Sequence, residues 1–179
     1  MNKLQQSGND RIPCVSVTVA IMGLLIPAGL WAANPEPVAV RVTFVNPVAI
    51  TEVNALQFGS LDQNLADSET VTVAPDGTVT DPADRVEGSP QAAASLTVTA
   101  SPGQAITIQV DSVVAGAGYS LTDFRCNYNT GADAACDGEG YSESSVASGT
   151  LLVGATLTGD GTAVAGVADG SLDVSIIYQ

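Results

Sequence analysis

The sequence predicts an all-β protein, an immunoglobulin-like antiparallel β-sandwich of about eight or nine short strands. Three observations predict it. Apolar and polar residues alternate with period two in short runs. Turn residues punctuate those runs at short intervals. Past the N-terminal stretch, the 3.6-residue apolar period of a helix is almost absent. Alternation leaves one face of each sheet wet, which fits antiparallel pairing. A parallel β-helix would need a repeat of fixed period, and the sequence carries none.

The first segment reads as a leader. "MNKLQQSGNDR" is polar and carries Lys3 and Arg11; "VSVTVAIMGLLIPAGLWAA" follows and ends in small residues. A basic end, an apolar run and a small-residue end describe a secretory signal peptide. The expectation is cleavage after Ala32 or Ala33, giving a signal peptide over residues 1–32 and one domain over 33–179. The bland alternative is an uncleaved anchor, since the run is long enough to cross a bilayer. Pro27 and the small-residue end favour cleavage. The chain would then be exported, through a periplasm to the cell surface or the medium.

Candidate strands follow in order. In "VAVRVTFV", Val38, Val40, Val42 and Phe44 share one face. "NALQFG" places Leu56 and Phe58 two apart. "TVTVAPDGTVT" contains its own turn, because Pro75 presets φ and Asp76-Gly77 favours positive φ. "ASLTVTASPGQAITIQV" sets Pro102-Gly103 between two alternating runs. "GYSLTDF", "GTLLVGATLTG" and "SLDVSIIY" complete the series. Asp81–Gln91 and Asn127–Ser148 read as loops. Phe44, Phe58 and Phe124 read as core.

Cys126 and Cys136 remain after cleavage, and in an exported chain two cysteines most simply form a disulfide. A metal site would need more ligands than two thiols, and the chain has no histidine. Losing the leader removes Lys3, Arg11 and Asp10 and moves the net charge from −14 to −15. Arg41, Arg85 and Arg125 are then the only cations. A surface so acidic repels phosphate backbones, so nucleic acid is not an expected partner.

Little in the sequence points to catalysis. Without histidine the commonest general base is missing, and past the leader there is no lysine to activate a serine. Paired carboxylates could still act, but the acids are scattered over turns and loops. The expectation is a non-enzymatic protein with no catalytic residues, metal or cofactor. Two acidic loops, Asn129/Asp133/Asp137/Glu139 and the turn at Asp160, could offer oxygens to Ca²⁺. Their spacing does not match a calcium loop, and a solvated acidic surface is the reading preferred.

The two ends carry the functional signal. Gly166 is fourteenth from the C-terminus, Tyr178 is penultimate, and between them Leu172, Val174 and Ile176 alternate, with Ile177 the exception. This resembles the chaperone–usher pilins. In that family the C-terminal strand borders a groove that a periplasmic chaperone holds and the next subunit's N-terminal strand then fills. At the other end, "NPEPVAVRVTFVNPVAI" is similar to the donor strand of the alternate, colonisation-factor pilins, with Pro47 as the following proline. The resemblance implies a donor strand over residues 38–45 and a homopolymer formed by strand exchange, with a chaperone and an outer-membrane usher as partners. Each end is thus expected to bury its apolar side in a sheet, its own or a neighbour's.

A wider resemblance covers nearly the whole chain past the leader. "VNPVAIT", "ALQFGSL", "VTVAPDGT", "AASLTVTASPGQAITI", "LLVGATL" and "VSIIYQ" are similar, in order and spacing, to the secreted bacterial family called domain of unknown function 4402. That family usually has "AGxYxG" before the last strand. Here "AGVADG" stands there, with Ala168 and Asp169 in the tyrosine region, and the cysteine loop is an addition. The alternative to a pilin-like subunit is a stand-alone secreted or cell-surface β-sandwich binding module whose N-terminal strand completes its own sheet.

Overall fold

The computed structural model describes Ala39 and residues 41–179. The predicted leader and its expected cleavage point, Val38 and Val40 lie outside the described residues. Twelve strands occur: β1 Ala49–Asn54, β2 Ser60–Leu61, β3 Thr70–Val73, β4 Val79–Thr80, β5 Val86–Gly88, β6 Ala94–Thr99, β7 Ala105–Val114, β8 Tyr119–Tyr128, β9 Ala134–Ala135, β10 Tyr141–Ser144, β11 Ser148–Gly159 and β12 Ser171–Tyr178. Eight of them have four residues or more; β3, β6, β7, β8, β11 and β12 fall in the alternating runs, whereas β1 and β10 do not. No helix occurs among the described residues.

Every ladder is antiparallel. The large sheet is organised by β11, the longest strand. On one side β11 pairs first with β6, along Ser148–Val153, and then with β3, along Ala155–Thr158. On the other side it pairs with β8. Gly154 sits where β6 gives way to β3, and a side chain there would collide with the Val73 carbonyl. β1 extends the sheet beyond β6, β4 beyond β3, and β9 beyond β8. The small sheet has the order β10-β7-β12, so the C-terminal strand is its edge. β2 and β5 form a separate pair.

The two main sheets enclose the core. Val98, Leu151, Val153, Phe124 and Cys126 of the large sheet cluster with Ile106, Ile108, Val110 and Ile176 of the small one. Val71, Val98, Ile106, Ile108 and Leu151 are fully buried, and each such aliphatic contributes roughly 1.5–3 kcal/mol of transfer free energy. The fold is therefore an all-β sandwich, as expected.

The Pro75-Asp76-Gly77 turn forms as read. Ala74 N–H donates to Thr78 O at 2.9 Å, Thr78 N–H donates to Asp76 Oδ1 at 2.8 Å, and Gly77 takes φ +82°. The Pro102-Gly103 turn joins β6 of one sheet to β7 of the other. Ser145, 2% exposed, holds that corner: its hydroxyl donates to Ser101 O and accepts from Gln104 N–H.

Three features differ from expectation. The predicted loops contain β5, β9 and β10; two to four residues of ladder are too short to show a period of their own. In "NALQFG" only an isolated bridge forms, Gln57 to Ala92, although Leu56 and Phe58 still pack against the core. Phe44 is not core. It is 91% exposed, because the segment before β1 has no ladder partner among the described residues.

Candidate functional site

The small sheet has three strands where the large one has seven, and part of the large sheet's inner face is left uncovered. The gap lies beside β12. Its floor is Ala94 and Leu96 of β6, Leu121 of β8 and Leu157 of β11. One wall is the segment from Glu52 of β1 through Leu61, including Leu56 and Phe58. The other wall is Ala163–Gly170 followed by Ser171–Val174 of β12. The cleft has a volume of about 940 Å³, at the top of the range for small-molecule pockets. Leu56, Phe58, Leu96, Leu121, Leu172 and Val174 are only partly buried, so apolar surface remains for an occupant to cover.

β12 keeps its alternation. Leu172, Val174, Ile176 and Tyr178 face the core side, Ile176 is 8% exposed, and Ile177 points outward at 61%. The alternation survives a register shift against β7 between Asp173 and Val174. β7 occupies one side of β12; the other side carries no strand among the described residues. Gly166 lies in the loop before β12, on the cleft wall, with φ +147° and open space where a Cβ would stand. The "AGVADG" stretch is thus part of the rim, with Val164 and Val167 exposed.

Tyr178 joins the two ends of the domain. Its hydroxyl accepts from Ser101 N–H at 2.7 Å and donates to Asn46 O at 2.7 Å, while Asn46 N–H donates to Ser101 Oγ at 2.6 Å. The main chain entering β1 is thereby tied down at the C-terminal end of β12. N-terminal to this clasp runs the predicted donor segment. Val42 is 66% exposed, Val45 42%, and residues 41–48 form no strand. Val38 and Val40 lie outside the described residues.

Cys126 and Cys136 are bonded, and both are fully buried. Cys136 N–H donates to Phe124 O of β8, and Val110 N–H of β7 donates to Cys136 O. The bridge thus stitches the two sheets together. The acidic loop around it is engaged internally: Asn127 Nδ2 donates to Asp133 Oδ1 and Arg125 donates to Asp133 O. Among the described residues no group of three or more acidic or thiol side chains is placed to hold a metal. Asp160 accepts from the Thr162 N–H and hydroxyl, which holds its carboxyl below the usual range.

Sequence reasoning missed one cluster. Arg85 makes a two-pronged pair with Glu69, at 2.8 Å for each contact, and a third contact with Asp62 at 3.2 Å. Its partners are 16 and 23 residues away, so no local pattern announces it.

A family model described as Domain of unknown function (DUF4402) matches residues 48–178. The chain belongs to that family. The match begins just after Pro47 and ends at Tyr178, so it covers every strand and both walls of the cleft, while the 38–45 segment lies ahead of it. No curated protein and no solved structure matches the chain.

Proposed function

We propose that the chain is an exported, non-enzymatic, pilin-like structural subunit that assembles by strand exchange, with residues 38–45 of one copy filling the cleft beside β12 of the next. One observation carries the reading. An apolar cleft flanks the edge strand β12, whose side away from β7 carries no strand among the described residues, while Val42 and Phe44 of an alternating apolar segment stand exposed. An added strand would bond its backbone to β12 and set alternate side chains on the leucine floor, the physics of β-augmentation. Burying Val38, Val40, Val42 and Phe44 would yield roughly 6–12 kcal/mol gross, less the cost of ordering the segment. A periplasmic chaperone would shield the cleft before assembly, and an outer-membrane usher would pass subunits onward.

The test is deletion of Ala39–Phe44, followed by light scattering and denaturing gels. The expected result is loss of polymer with a folded monomer retained. A full-length chain that stays monomeric, and is equally stable without the segment, overturns the reading. A second reading keeps the domain as a stand-alone surface module whose cleft takes an extended segment of another protein. The partly buried apolar side chains of the cleft would serve it as well, and it predicts a monomer that captures peptide without forming ladders.

A further inference from the structure

We infer that the occupant enters antiparallel to β12, from a second copy, in a register set by an ion pair between its Arg41 and Asp173. This rests on the exchange reading above, which already takes the segment from a second copy, and adds the residue pair that sets its register.

The cations decide the partner. Three remain past the leader. Arg85 is held by Glu69 and Asp62, and Arg125 donates to Asp133 O. Arg41 is exposed and makes no ion pair among the described residues. The rim of the cleft is acidic, with Glu52, Asp169 and Asp173 on it. Asp173 is exposed on the outward face of β12, between inward Leu172 and Val174. On the segment, Arg41 likewise falls between Val40 and Val42, on the polar side. A strand that turns its valines inward on β12 therefore presents Arg41 on the same outer face as Asp173. Opposite charges directly across a ladder favour that register over its neighbours two residues away.

The position of the clasp decides the direction. Antiparallel pairing with Arg41 opposite Asp173 sets Val42 across from Leu172, Val40 from Val174 and Val38 from Ile176. Phe44 then falls at Gly170, which lines the cleft together with Leu121 and Leu157. The parallel alternative sets Phe44 beside Ile176, toward the end closed by the clasp of Tyr178, Asn46 and Ser101. The clasp also decides between self and neighbour. It roots the segment at the C-terminal end of β12, so the chain's own segment could reach β12 only in the parallel direction. A second copy is free to enter antiparallel.

Charge reversal tests the pair in the full chain purified from a bacterial periplasm. Arg41→Glu and Asp173→Arg should each slow polymer growth about fivefold or more, since each sets like charges face to face. The double reversal should return growth to within about twofold of the original. A double variant no faster than the slower single one overturns the pairing. Cysteine crosslinking reads the direction without relying on rates. Ala39→Cys with Ser175→Cys should give bonds between copies. Crosslinking of Thr43→Cys with Ser175→Cys instead, within one chain, marks parallel self-insertion and overturns the inference while leaving the cleft as the segment's seat. If the original chain forms no polymer and neither pair crosslinks between copies, the exchange reading falls and this inference with it.

Discussion

Ser145 shows how one small polar side chain fixes a corner between sheets. Buried at 2% exposure, its hydroxyl serves Ser101 O and Gln104 N–H at once. Alanine there would leave both backbone groups short of a partner, and such a loss costs about 1–3 kcal/mol. Ser145→Ala should lower the denaturant midpoint accordingly without changing assembly. Glu69 acts through charge. Hydrogen bonds from Arg85, then from Ala66 N–H, hold its carboxyl below the usual range. A lowered pKa in the folded state stabilises the fold above the unfolded value, and the benefit disappears as pH falls through the folded one. Glu69→Gln should therefore melt below the original protein at pH 7, with the gap closing as the solution is taken below about pH 4. Equal gaps at pH 7 and pH 3 would count against this. Tyr141 lies at the other extreme of pH, its phenol pushed up to about 12, chiefly by burial.

Among the elements, the strands with the plainest alternation were the legible ones. β6, β7, β8, β11 and β12 fall where period two and turn residues place them, and the inward set of β12 is the set that alternation picks, with Ile177 outward. The Pro75-Asp76-Gly77 turn was legible because its φ requirements are local. β5 and β9 were not, because two or three residues carry no period; their pairing depends on what the rest of the fold brings alongside. Nor does the sequence say that Pro102-Gly103 crosses between sheets, since an arch and a hairpin use the same turn residues. The cysteine pair was legible from count alone, but its role as a stitch between β7 and β8 comes from two backbone hydrogen bonds made by Cys136. Replacing both cysteines by alanine reopens a short loop and should cost about 2–3 kcal/mol on the chain-entropy account. Because the bridge also joins the sheets, the variant should lose cooperativity as well as midpoint in urea, read by far-ultraviolet circular dichroism.

At the scale of the whole molecule, the candidate site is an apolar cleft left open beside β12, lined by Leu96, Leu121 and Leu157. That half of the site could be read only indirectly from sequence, since a gap in a sheet has no residues of its own. The apolar segment that would fill it was plain from alternation. The large sheet meets the small one closely around Ile106, Ile108 and Ile176, whereas Leu96 and Leu121, which line the opening, are only partly buried. An incomplete sandwich of this kind should be stable enough to fold yet gain substantially when the opening is filled, because several half-buried side chains become fully buried in one step. Amide hydrogen exchange measured on assembled, unassembled and arm-deleted protein tests that most directly. The account predicts that in the assembly the amides of residues 41–45 and the β12 amides facing away from β7 become protected together, that both sets exchange quickly in the unassembled full-length chain, and that the β12 set exchanges quickly in the arm-deleted chain. If residues 41–45 exchange at open-chain rates in every state while β12 stays equally protected throughout, the cleft is not where the segment goes.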